Sequence, residues 1–282
     1  MKATDRVRLR FVVLGILLSV GTLPLLLPLA WMVSTSVKPE FDVFGYPPSL
    51  VPTRLRIENY VDIFGQAPFA RQYVSSLYIG VANVIATAVI ASMAGYALAR
   101  LRFPGRFLVL PLLLSALLLP NEILIVPQYA LMSSLGLIGT QIPLFLEPAF
   151  GAPGIVGTFL MRQFFVSLPR DLEDAGRVDG LSAFGVFTRI ALPLAGPALS
   201  TLAILTFLSS WNAYLEPLVF TSGRPALITL PVALNEFTNF DGTPQYALQM
   251  AATTLSILPV AIVFLLAQRH IVQGIARSGL KG

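Results

Sequence analysis

The chain has 282 residues, of which 55% are hydrophobic and only 12% charged, with a mean hydropathy of +0.77. An ordinary globular domain carries about a quarter charged residues, so composition excludes water-soluble domains, and the absence of cysteine excludes disulfides, thiolate metal sites and a cysteine nucleophile. The net charge of +5 is made of scattered single cations, which excludes a dense stripe for tracking nucleic-acid phosphates.

Six segments are long enough to cross a hydrocarbon core of about 30 Å as helices of about 20 residues. They lie near 11–35, 73–98, 107–127, 143–161, 194–220 and 246–267. The first follows Lys2, Arg6, Arg8 and Arg10 and resembles a signal peptide in its charge. Its apolar run is over twenty residues long and ends in no small-x-small cleavage site, so it reads as a retained anchor. The loop at 36–72 is proline-rich at Pro47, Pro48 and Pro52 and is too small to be a domain. Pro111, Pro120, Pro127, Pro143, Pro148 and Pro153 interrupt the third and fourth segments. Membrane helices tolerate proline where neighbours satisfy the freed backbone, so kinks are expected there and the count stays at six.

Lysine and arginine set the orientation. With the N-terminus inside, the inner pieces hold 14 of the 19 cations and the outer pieces Lys38, Arg54, Arg56, Arg71 and Arg224. Both termini then lie in the cytoplasm, together with the polar stretch at 173–193. The fold class is all-α integral membrane, with six transmembrane helices. Its divisions are 1–71 (N-terminal segment, first helix and external loop), 72–268 (transmembrane core) and 269–282 (cytoplasmic tail).

Between the fourth and fifth segments, Ser167-Leu168-Pro169 before Asp171, Glu173 and Asp174 predicts a capped helix start. Leu172, Ala175, Gly176 and Asp179 fall on one face, and Gly180 ends that helix. Ser182 caps a second short helix with the face Phe184, Phe187, Ile190 and Ala191, which Pro193 stops. Small residues permit close approach of a partner, and neighbouring charges fix its orientation. An ordinary surface loop is the other reading of the same residues.

Asp174-Ala175-Gly176, three residues, Gly180, nine residues, then Ile190-Ala191-Leu192-Pro193 resembles the EAA loop of bacterial ABC-importer permeases. The family pattern is Glu-Ala-Ala, three residues, Gly, nine residues, Ile-x-Leu-Pro. Aspartate replaces its glutamate at Asp174, and glycine replaces its second alanine at Gly176. The likeness covers nearly the whole chain and is to carbohydrate-type permeases related to the maltose system's smaller membrane subunit. It includes Ser36-Val37-Lys38-Pro39, Glu58-Asn59-Tyr60, Ala97 to Gly105, Trp211-Asn212, and Gln268-Arg269 with Gly279 to Gly282.

The resemblance implies a non-catalytic permease in the bacterial cytoplasmic membrane. It implies a second, homologous permease, a cytoplasmic ATPase dimer, an external solute-binding protein and a small-molecule cargo such as a sugar or polyol. The loop at 167–193 would dock on the ATPases through Glu173, Asp174, Ala175, Gly176, Arg177, Asp179, Gly180, Leu192 and Pro193. The tail near 275–282 would reach between the ATPases, and the 221–245 loop would meet the binding protein. No Gly-x-x-x-x-Gly-Lys-[Ser/Thr] phosphate loop occurs, so no cofactor is expected on this chain, and ATP with magnesium belongs to the partners.

Ionisable and polar groups inside the membrane are candidates for the solute path. These are Asn121 and Glu122 after Pro120, and Trp211, Asn212, Tyr214 and Glu216 in the fifth segment. Two readings stand for the second group: contact with a sugar ring, or helix packing with Glu216 at headgroup level. A glutamate at 216 favours a hydroxyl-rich or cationic solute over an anionic one. Asn83 and Glu147 read as packing groups. An ion-driven secondary transporter would show inverted repeats and carboxylate relays, and neither is visible. An intramembrane enzyme would need a nucleophile–base pair, and the one histidine, His270, follows Arg269 beyond the last segment.

Overall fold

A computed structural model describes residues 3–221, 224, 226–238 and 242–279, with side chains described only between 13 and 266. The expectations for His270, for the end of the tail, and for residues 222–223, 225 and 239–241 of the 221–245 loop lie outside the described residues. In chain order the helices are α1 (Ala3–Ser36), α2 (Glu40–Val43), α3 (Asn59–Gln66), α4 (Phe69–Arg100), α5 (Arg106–Ala116) and α6 (Asn121–Ser134). Next come α7 (Pro143–Phe150), α8 (Ala152–Ser167), α9 (Arg170–Val178), α10 (Ala183–Val186), a π-turn (Phe187–Ala191) and α11 (Leu192–Leu194). The last are α12 (Gly196–Trp211), α13 (Leu215–Phe220), α14 (Leu230–Ala233) and α15 (Tyr246–Gly279).

Among the described residues, three helical stretches are long and apolar enough to cross a membrane: Val13–Ser36, Phe69–Arg100 and Tyr246–Leu266. Counting each of three bent helix pairs as one span gives six. The expected third span, 107–127, is instead α5 and α6 meeting at 106°, with Pro120 at the start of α6. Pro111 and Pro127 remain inside those helices. The fourth bends by 45° between α7 and α8. The fifth, expected as one helix over 194–220, breaks after Trp211 and resumes as α13.

The chain forms two compact units, Met1–Pro68 with Leu234–Leu258, and Phe69–Ala233 with Pro259–Gly282. In the first, the stretch of α1 from Val13 to Leu29 is apolar around nearly its whole circumference, and its side chains are exposed. A helix apolar all round belongs in lipid or against another chain. The loop after it is tied by buried polar groups. Asn59 donates to the carbonyls of Ser36 and Lys38, each at 2.9 Å. Tyr60 meets the Ser36 hydroxyl at 2.7 Å. Buried Lys38 donates to the Ser49 carbonyl and lies 4.9 Å from the Trp31 ring. The Glu40 carboxylate accepts from the backbone N–H groups of Tyr246 and Ala247, each at 2.8 Å, and so caps α15. Ser36-Val37-Lys38 and Glu58-Asn59-Tyr60, far apart in sequence, are thus one knot.

In the second unit α4 is the central helix, flanked by α7, α8 and α12. Helices in lipid gain no hydrophobic drive from meeting, so small residues that let backbones approach carry the contact. A Cβ at Gly95 would stand 2.8 Å from the backbone nitrogen of Arg162 on α8. One at Gly157 would stand 2.7 Å from Leu202 on α12.

Candidate functional site

The stretch from 169 to 195 folds as a hairpin. Pro169 precedes α9, whose first turn carries Asp171 and Glu173 at the positive end of the helix dipole. The cap expected from Ser167 does not form, because α8 continues to Ser167 and its hydroxyl donates to the Phe164 carbonyl at 2.7 Å. Gly180 ends α9 with φ +84°, a conformation that costs glycine nothing. Leu181 N–H then reaches the Gly176 carbonyl and Gly180 N–H the Arg177 carbonyl, both at 3.0 Å. These are the two bonds of a Schellman closure.

The face expected for α9 is divided by this geometry. Glu173 and Gly176 point inward and are buried, whereas Leu172, Asp174, Ala175, Arg177 and Asp179 are exposed. A Cβ at Gly176 would stand 2.4 Å from Ile190 Cδ1, so its smallness serves the hairpin's own closure. Val178, unremarked in the sequence, is the most exposed apolar side chain of the hairpin at 88%. Glu173 forms a 2.8 Å ion pair with Arg100 at the end of α4, and both side chains are almost fully buried. Arg100 also donates to the Leu168 carbonyl at 2.6 Å. The Ala97–Gly105 stretch therefore holds the base of the hairpin. Around it, Arg102, Arg106, Arg170 and Arg177 join Arg100, Glu173 and Asp174 in lining a recess of about 480 Å³.

Ser182 caps α10 as expected, accepting from Gly185 N–H at 3.2 Å. Phe184 turns outward, while Val186, Phe187 and Ala191 turn inward. Phe187 lies 5.1 Å from Tyr96 and 6.3 Å from Phe165, in an aromatic group shared with α4 and α8. Pro193 does not stop the second helix. The chain passes from the π-turn through α11, and only then bends by 76° into α12.

The intramembrane candidates separate into two groups. Asn121 and Glu216 line a cavity of about 400 Å³ within the second unit. Asn83 and Glu147, expected as packing groups, line it too. Glu147 accepts from Gln128 Nε2 at 2.7 Å. Trp211 is buried, stacked on Phe207 at 5.6 Å with its edge to Tyr73 at 5.8 Å, so it packs and does not face the cavity. Asn212 is exposed and donates to the Leu208 carbonyl of its own helix at 2.8 Å. Tyr214 and Glu122 are exposed and are not among the lining residues. Sequence spacing could not bring these residues together or single out Thr229, because the cavity collects side chains from six helices and two loop positions.

Comparison with known proteins gives concordant matches. Residues 87–277 match the model of the family described as binding-protein-dependent transport system inner membrane component. The chain is 35% identical over 258 residues to an arabinooligosaccharides transport system permease protein of Halalkalibacterium halodurans, covering 90% of this chain and 91% of the relative. It is 34% identical over 275 residues to a sulfoquinovosyl glycerol transport system permease protein of Agrobacterium fabrum, covering 97% and 94%. Its fold matches a chain of a bacterial ABC transporter that imports the acidic polysaccharide alginate, with a TM-score of 0.81, 23% identity, and coverage of 95% and 98%.

Proposed function

The chain belongs to the family of binding-protein-dependent transport inner membrane components, and from that premise we propose that it is the permease subunit of an ATP-driven importer for a sugar or related polyhydroxylated solute. It is a multi-pass protein of the inner membrane. Two ATPase subunits supply the energy, a second permease completes the pathway, and an external binding protein delivers the solute. Both termini and the 169–195 hairpin lie in the cytoplasm.

The observation that carries the reading is the hairpin. It is locked inward by Arg100–Glu173 and the Phe187 aromatic group, yet exposes Leu172, Ala175, Val178 and Phe184. Exposed apolar side chains on a rigid, charge-flanked element suit a docking partner. Closure of the ATPase dimer would move the hairpin as one body and pull on α4, α8 and α12. The paired permeases then alternate between outward- and inward-facing states, and return after hydrolysis with the solute released inside. The relative named for sulfoquinovosyl glycerol makes a glycerol-bearing solute the second reading of the cargo.

The test is co-purification. Tagged chain should bring down an ATPase subunit, and Asp174→Lys or Val178→Asp should abolish solute uptake while the protein remains in the membrane. An intact uptake rate in both variants, with no ATPase recovered, would overturn the proposal.

A further inference from the structure

The cavity of about 400 Å³ is lined, among the described residues, by two carboxylates, Glu147 from α7 and Glu216 from α13, and by no lysine, arginine or histidine. Glu147 is held in place, because Gln128 Nε2 donates to its Oε1 at 2.7 Å. Only the glycine at 151 leaves room for it, since a Cβ there would stand 2.8 Å from the same oxygen. A second feature is independent of charge. Thr229, 2% exposed, lines the same cavity, and among the described residues its hydroxyl has no hydrogen-bond partner. Buried hydroxyls are nearly always paired, and leaving one unpaired is costly unless a bound molecule supplies the partner. Asn83 and Asn121 add polar groups at the same wall.

We propose that this cavity is a solute site that accepts neutral or cationic polyhydroxylated solutes and rejects those bearing carboxylate, sulfonate or phosphate. The identification of the ligand as transported solute rests on the importer reading above. Carboxylate oxygens accept hydrogen bonds, so they match the hydroxyl and ammonium donors of a sugar or amino sugar. An anion entering the cavity finds carboxyl oxygens on the wall and, among the described residues, no cation to neutralise it, in surroundings that screen poorly. Thr229 both donates and accepts, and so pairs with any hydroxyl presented to it.

The chain has no cysteine, so Ser209→Cys and Ser210→Cys each place a single thiol at the cavity wall. In membranes containing the complete transporter, each thiol is reacted with aminoethyl, hydroxyethyl and sulfonatoethyl methanethiosulfonate. Rates are normalised to those of free 2-mercaptoethanol. The expected cation-to-anion rate ratio is raised about tenfold or more, as like charges about 6 Å apart in a partly screened site can supply. Glu147→Gln with Glu216→Gln returns it toward one, and Glu216→Gln alone lowers it part-way, should the double variant not reach the membrane. A ratio near one at both cysteines overturns the proposal, as does failure of the neutral reagent to react at either. Co-purification of the ATPase from the same membranes separates the two ideas. A raised ratio without ATPase sinks the importer reading alone, and ATPase with a ratio of one sinks the charge rule alone.

Discussion

Arg100 and Glu173 meet at 2.8 Å with side chains only 6% exposed each, whereas Arg177 and Asp174 lie 3.7 Å apart with side chains more than half exposed. Glu173, Asp174 and Arg177 sit on the same short helix, with Arg100 at the end of α4, and the two pairs behave oppositely. Removing one partner of a buried pair strands the other charge, at a cost of about 3–5 kcal/mol, while an exposed pair contributes about 0–1 kcal/mol. Arg100→Ala is therefore expected to lower the thermal stability of the detergent-solubilised protein sharply, and Arg177→Ala to leave it nearly unchanged. Equal melting temperatures for the two variants would mean that the hairpin is not anchored through Arg100. Sequence alone placed Glu173 beside Asp174 as a docking residue; it could not see that one turns inward and the other out, since both fit the first turns of an amphipathic helix.

At the scale of the elements, two glycines test which contacts are rigid. A Cβ at Gly95 meets backbone atoms of Arg162 and Met161, which cannot give without parting α4 from α8. At Gly176 the obstacle is the end of the Ile190 side chain, which can rotate. Gly95→Ala should destabilise by about 1–3 kcal/mol through overpacking. Gly176→Ala should stay within about 1 kcal/mol of wild type, because alanine favours the helix by about that amount. Thermal unfolding of the two purified variants checks the order. The helices themselves were legible in the hydropathy, as were the Gly180 hinge and the Ser182 cap. Helix breaks were not, because proline does not distinguish a kink from a corner: Pro111 and Pro127 stay inside helices while Pro120 starts one. The break after Trp211 had no proline or glycine beside it to announce it. Asn212 ends α12 there, turning its side chain back on the Leu208 carbonyl.

For the molecule as a whole, the cation bias and the positions of the exposed loops make orientation testable. With the native chain free of cysteine, Val178→Cys should react with a membrane-impermeant maleimide only in inverted vesicles. Tyr46→Cys, at a side chain 96% exposed, should react only in intact cells stripped of any outer barrier. Labelling of both from one side would contradict the topology. The candidate cavity was the least legible feature at this scale. Asn83, Asn121, Glu147, Glu216 and Thr229 are spread over nearly 150 residues of chain, and only the packing of α4, α6, α7 and α13 with the loop at Thr229 collects them.

The π-turn at Phe187–Ala191 holds one more residue per turn than the helices on either side, with Leu192 N–H bonded to the Phe187 carbonyl. Each residue of an α-helix advances the chain by about 100° around its axis. The nine residues between Gly180 and Ile190 therefore act as a phase setting between hairpin and α12. A one-residue deletion between Phe187 and Ala195 would turn Phe187 by about 100° relative to Ala195. The interval is a dial position, and its length fixes the angle at which the hairpin meets α12.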